Sequence, residues 1–320
     1  MKKNLITLTL IITLLISFAT ISMAAYPERP IRSIVPFNPG GGTDLLTRTI
    51  QNYIDLDGQP LVPVYVPGAS GQIGAMETYR ETPDGYTILG HNTDNLIGQY
   101  LSGGTDIKLW EELEFVCNMV LDNIVVITHP GTGWKTWEDV AEFAKANPGK
   151  IAWGTEGLRT PSAAAIMTLN DLYGFDFQIV PYDGGANARV SLLGGHIELT
   201  SGSVSDMREL LRSGDAIPLL FGSNRKSPFV EGVPTPAEAG IPEFAIAPGA
   251  QRAYFAPPGT PKEAIDYLAS KFEEVANNED FIADMAAVNY GVDFMDPEAA
   301  RAQAMELADR LSAAYEKYFE

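Results

Sequence analysis

The sequence predicts an α/β protein of two lobes, each a mostly parallel sheet flanked by helices. Three observations predict it. Short β-branched or aromatic runs alternate with amphipathic, helix-like segments through most of the chain. Several strands are apolar along their whole length, "FVCNMVLDNIVVITH" above all, which suits strands covered on both faces. The chain has 320 residues, 45% hydrophobic and 20% charged, enough for two cores.

The first segment is set apart from the fold. Lys2 and Lys3 precede an apolar run from Leu5 to Ala19, and Ser22-Met23-Ala24 offers small residues for cleavage. Residues 1–24 therefore read as a secretory signal peptide, too short to anchor the protein in a membrane. Removing the two lysines from 22 basic residues leaves 20 against 41 acidic ones, a net charge of −21. Nucleic acid and anionic membrane surfaces are poor partners for such a chain. The one cysteine, Cys117, lies in an apolar run and reads as a buried hydrophobe, so stability rests on the cores rather than on disulfides.

The mature chain opens with strand "IRSIVPF", helix "DLLTRTIQNYI" and strand "LVPVYVP", then helix "AMETYRE" and strand "YTILG". After the long apolar strand come helix "WEDVAEFAKAN", strand "KIAWG", helix "SAAAIMTLNDLY", strand "FQIVPY" and helix "NARVSLLGG". "IELTSG", "DMRELLRSG" and "IPLLFGS" continue the alternation, and from Pro261 onward the chain reads as mostly helical. Two segments look like crossings between lobes: "VVITHPGTGWKTWEDV" and the proline-rich "SPFVEGVPTPAEAGIPEF", followed by "YFAPPGTPKEAIDYL". Residues 25–125 and 225–320 then form one discontinuous domain and residues 126–224 the other. Trp134 and Trp137 read as packing at the crossing.

Three glycine-bearing turns follow predicted strands: "NPGGGTD", "GTEGLRTPS" and "YDGGANAR". In open parallel sheets ligands lie outside the carboxyl ends of the strands. Bare backbone before a helix start offers unpaired N–H groups and a partial positive charge, a socket for an anion. A cleft between two lobes, lined by such turns from both, follows. Phe37 and Tyr182 stand beside two of these turns as candidate walls of the cleft, or as ordinary strand ends.

Enzyme signatures are absent. The first loop lacks the lysine of a phosphate-binding loop, "ASGQIG" misses the first glycine of the dinucleotide fingerprint, and "GASGQ" lacks the last glycine of a nucleophile elbow. His91, His129 and His196 have no metal-binding spacing, and no two carboxylates are placed for acid–base work. His91 reads as a polar loop residue, with a place on the cleft wall as the alternative. No cofactor and no metal are expected.

"YPERPIRSIVPFNPGGGTDLLTR", "VPVYVPGASGQIGAMETYRETPDGYTILG", "YDGGANARVSLLGGHIEL" and "GVPTPAEAGIPEF…YFAPPGTPKEAIDYL" resemble the extracytoplasmic solute receptors of tripartite tricarboxylate transporters, the Bug (TctC) family. The resemblance spans essentially the whole mature chain. It implies a two-domain, type II periplasmic-binding-protein fold of the Venus-flytrap kind, a carboxylate-bearing ligand, membrane transporter subunits as partner, and no catalysis. It also implies a pincer of two strand–helix loops around a ligand carboxylate, matched here by Asn38, Gly40, Gly41, Gly42 and Thr43, and by Gly184, Gly185, Ala186 and Asn187. Asn92, Thr93 and Thr155 complete the expected site, and Asp44 reads as a helix-start residue. Two positions depart from the family pattern. Arg159 replaces a usual glycine and either reads a second acidic group of the ligand or points to solvent; Asp183 replaces a usual basic residue. The expectation is a periplasmic, monomeric receptor for a di- or tricarboxylate or related acid. The alternatives are a glycine-loop enzyme acting on a phosphorylated or nucleotide ligand, and a sensing module for a signalling partner.

Overall fold

The computed structural model describes residues 26–158, 160–182, 184–245 and 249–319. The expected signal peptide, Arg159 and Asp183 lie outside the described residues.

In chain order the elements are β1 (Ile31–Val35), α1 (Gly42–Tyr53), β2 (Leu61–Tyr65), α2 (Gln72–Arg80), β3 (Thr87–Asn92), α3 (Thr93–Leu101), the one-turn α4 (Leu109–Glu112) and β4 (Glu114–Thr128). Then follow α5 (Trp137–Ala146), β5 (Ala152–Thr155), α6 (Pro161–Tyr173), β6 (Gln178–Pro181), α7 (Gly185–Leu193), β7 (Leu199–Ser203), α8 (Val204–Ser213) and β8 (Ile217–Phe221). The chain closes with β9 (Gly249–Ala256), α9 (Lys262–Ala276), α10 (Glu279–Ala287), β10 (Gly291–Met295) and α11 (Pro297–Phe319).

The strands run in the order β2-β1-β3-β9-β4-β7-β5-β6, with β8 and β10 also paired to β4. Parallel pairing is confined to β2-β1-β3 and to β7-β5-β6. Every pairing made by β4 or β9 is antiparallel. The long strand β4 belongs to both sides. Its residues up to Asn123 pair with β9 and those from Ile124 onward pair with β7.

Local chemistry sets the helix starts. Thr136 and Asp139 form a reciprocal capping box on α5, Thr160 caps α6 ahead of Pro161, and Ser203 caps α8. Helix α9 buries one face, from Ala264 and Ile265 to Phe272 and Val275, against the β1–β4 side. On the other side Trp137 and Trp153 pack with Phe175 and Phe177. Trp134 and Trp137 thus belong to the core of that side rather than to a crossing.

Helix α11 ties the two sides together. Its Ala300 and Ala304 pack with Phe115 and Phe255, whereas Leu311, Ala314 and Tyr315 pack with Trp137, Trp153 and Leu169. At about 1.5 Å per residue it spans roughly 35 Å, long enough to do both. No helix among the described residues is long and apolar enough to cross a membrane.

Besides the one-turn α4, three elements were not read from the sequence. Thr93–Leu101 is helical directly after β3, residues 249–256 form a strand rather than a loop, and the helical C-terminal region contains β10.

Where the chain returns towards β9, it is fastened to β4. The Asn123 amide donates to the Arg225 carbonyl oxygen at 3.0 Å, and its oxygen accepts from Ser223 Oγ at 3.0 Å. Arg225 in turn forms a two-pronged ion pair with Asp293. Asn123 is buried, so losing both bonds strands polar partners. Asn123→Ala should lower unfolding free energy by about 2 kcal/mol, read by urea denaturation; a change within error would show that the two crossings do not depend on it.

Candidate functional site

Phe37 ends β1, and the chain turns through Asn38 and Pro39 into the glycines. Gly40 has φ +89°, a conformation that strains any side chain. Not all the bare amides are open. The Gly40 N–H donates to Asp44 Oδ2 at 2.7 Å, and that of Gly41 approaches the Asn38 carbonyl at 3.4 Å. Helix α1 begins at Gly42, so the N–H groups of Gly42 and Thr43 have no acceptor within the helix. Asp44 is buried and does not face a ligand. Besides Gly40, it takes bonds from Arg48 Nε at 2.8 Å and the Tyr65 hydroxyl at 2.7 Å, and these hold its carboxyl below the usual range against the opposing effect of burial.

Behind Gly42 lies a cation that the sequence reading missed. A Cβ at Gly42 would collide with the Arg252 guanidinium and the Tyr290 hydroxyl. Arg252 pairs with Asn92 across β9 and β3, is 8% exposed, and its Nε has no hydrogen-bond partner. Its Nη2 donates to the Tyr290 hydroxyl at 3.0 Å and lies 3.4 Å from Asp122 Oδ2. Asp122 also accepts from Ser205 on α8, from Oγ at 2.6 Å and from N at 3.2 Å. Burial raises the Asp122 carboxyl and the Arg252 charge opposes that rise. A single charged residue in the otherwise uncharged "GAQRAYFA" was the available signal.

The other expected residues are distributed as follows. Asn92 and buried Thr93 form the junction of β3 and α3. Buried Thr155 ends β5 and donates to the Gly157 carbonyl at 2.8 Å. Tyr182 follows β6, and its hydroxyl is 2.5 Å from Ser191 Oγ on α7, which occupies it. Gly184 precedes α7 with φ +88°; Gly185, Ala186 and Asn187 form the helix's first turn, with Ala186 and Asn187 exposed.

Phe37 meets His91 edge-on at 5.2 Å, and both pack against Gly71. His91 therefore lies inside β3 rather than in a loop, and its Nδ1 accepts the Asn92 N–H at 2.7 Å. Beside it Gly68, Ala69, Ser70 and Gly71 are four successive positive-φ residues, a costly conformation for alanine and serine.

A cavity of about 320 Å³ opens beyond the carboxyl ends of β2, β3 and β5. Ser70, Asp94, Asn95 and Gln99 line one wall, Glu156, Thr160 and Ser162 the opposite one, with Leu311 and Tyr315 of α11 alongside. The cavity is lined by neither glycine loop, but it adjoins the first. Ser70 leads to Gly71 against Phe37, and Asp94 receives the Gln251 N–H beside Arg252 at 3.4 Å. The structure thus brings together two carboxylates, Asp94 and Glu156, that the sequence did not pair. Burial raises both, Asp94 to about 6. No group of three or more metal-ligating side chains occurs among the described residues.

The family model for the tripartite tricarboxylate transporter family receptor matches residues 47–314. The chain belongs to this family. Protein BugT of Bordetella pertussis is 32% identical over 273 residues, 84% of this chain and 83% of BugT. A TctC solute-binding protein from Polaromonas superposes with a TM-score of 0.79 at 28% identity, over 91% of this chain and 99% of that one. MatC of Rhodopseudomonas palustris, solved with bound malate, has a TM-score of 0.70 at 22% identity, over 91% of this chain and all of MatC. The type II binding-protein fold is therefore that of this receptor, and the family's members are periplasmic solute-binding receptors rather than enzymes.

Burial also gives the site a pH signature. His91 is held near 4, against 6.5 when unfolded, so stability falls as pH drops from 6.5 towards 4. Asp94, raised from 3.8 to about 6, acts with the opposite sign over much the same window, because acid relieves its buried charge. The two offset each other. His91→Gln should therefore gain about 3 kcal/mol relative to the parent between pH 7 and pH 4. Denaturation at both pH values measures it; a constant difference would mean that His91 does not titrate as a buried group.

Proposed function

We propose that the mature chain is an extracytoplasmic receptor that captures a small carboxylate and delivers it to membrane subunits of a tripartite tricarboxylate-type transporter. The observation that carries this reading is the glycine-opened start of α1, with two amides free of intrahelical bonds and the Arg252 guanidinium packed behind Gly42, in a chain of this receptor family. The malate held by MatC supports a carboxylate ligand. Residues 1–24 would export the protein, which would act as a monomer. Residues 25–125 with 225–320 would form one lobe and residues 126–224 the other, a division supported by the change of β4's partners after Asn123.

In this reading the amides of Gly42 and Thr43 take the carboxylate from one side and the first turn of α7, Gly185 to Asn187, takes it from the other. Asn38, Gly40 and Gly41 shape the first loop, and Gly184 turns the second. Phe37, Asn92, Thr93, Thr155 and Tyr182 frame the cleft. Closing of the lobes exchanges water for fixed dipoles around the charge.

Gly41 provides the test. Its backbone is ordinary, with φ −78°, and an added Cβ would meet only the Asn38 carbonyl at 3.5 Å. Gly41→Val should therefore fold, while its branched side chain obstructs the first-turn amides. Calorimetry with a carboxylate found by thermal-shift screening should show at least about a tenfold loss of affinity, 1.4 kcal/mol. Unchanged affinity would sink the pincer.

A further inference from the structure

We propose that the ligand carries an ammonium group as well as a carboxylate, the charge pattern of an amino acid, with the ammonium held between Asp94 and Glu156. This rests on the receptor reading above and names its ligand class. The cavity beside the first glycine loop has space for a small molecule and walls from both sides of the sheet. Among the described residues that line it, the charged side chains are Asp94 and Glu156, both acidic.

Their positions matter as much as their sign. Asp94 lies in the first turn of α3, and Glu156 lies ahead of α6, where Ser162 Oγ donates to it at 3.0 Å. Asp94 thus sits at a helix start that would otherwise attract an anion, and Glu156 lies beside another, whose cap is Thr160. Both helix starts that border the cavity therefore carry one of the protein's own carboxylates in or beside their first turn. Among the described residues, a second ligand carboxylate entering this cavity would meet two like charges. Asn95, on the same wall, has a buried side-chain oxygen with no hydrogen-bond partner. Two carboxylates and a carboxamide oxygen are all acceptors, and an ammonium offers three donors and no acceptor. The carboxylate end of the same molecule belongs at Gly42 and Thr43, which Arg252 joins to Asp94 through its neighbour Gln251.

The test compares probes that differ in this one group. Purified mature protein is titrated with L-glutamate, L-aspartate and 4-aminobutyrate, and in parallel with glutarate, succinate and malate. At least one amino-bearing acid should bind tenfold or more tightly than every acid lacking the amino group. Asp94→Asn and Glu156→Gln should each cost that ligand at least tenfold without lowering the melting temperature of the unliganded protein. If the dicarboxylates bind as tightly as the amino acids or more tightly, the ammonium assignment is wrong and carboxylate capture stands. If both variants keep full affinity for a bound amino acid, the assignment of its ammonium to this cavity is wrong. If no acid of either set binds while the thermal-shift screen finds a carboxylate without an amino group that does, the ammonium assignment is wrong and the receptor reading stands.

Discussion

One strand sets the geometry on which everything else depends. β4 is hydrogen-bonded on both sides of the molecule, so the two groups of parallel strands are built outward from a shared rod. The segments that follow β2 and β3 on one side and β5 on the other reach a common crevice. Asn123 pins the returning chain beside β4 at the point where its partners change, and α11 spans the two cores.

The second constraint is charge. A chain with a formal net charge of −19 repels anions at long range, so holding one depends on short-range dipoles and on cations sheltered from solvent. Gly42 and Arg252 supply such a place. Two other helix starts are treated differently: α3 carries Asp94 in its first turn, and α6, capped by Thr160, has Glu156 beside it. Filling some sockets from within while leaving others open turns a generic anion-binding fold into one that distinguishes the two ends of its ligand. Burial is what raises the carboxyls of Asp94 and Glu156, against hydrogen bonds at both and the Arg252 charge at Asp94.

Much of this was legible in the sequence where periodicity is strong. The β1-α1-β2 unit, the long β4 and α5 through β8 fall where the alternation of patterns places them, and "NPGGGTD" is a loop into a helix start. Less was legible where partners are distant. β9 and β10 are held by pairing with β4, and nothing local in "GAQRAYFA" or "GVDFM" announces it. α3 follows β3 with no loop between them, so its start is marked only by the N-cap Asn92 and by Asp94 in the first turn. The importance of Arg252 comes from Gly42 and Asp122, far away in the chain, and the meeting of Asp94 with Glu156 depends on the crevice itself. The sequence also overstated the open amides, because Asp44 and Asn38 engage Gly40 and Gly41.

The central claim is that a ligand carboxylate is held by the first-turn amides of α1. The most direct measurement is a proton–nitrogen NMR titration of the assigned protein with a bound carboxylate, followed at Gly42 and Thr43. Their amide protons should move downfield and saturate at the same ligand concentration as calorimetry does. Saturation of the protein with both resonances unmoved would contradict the claim.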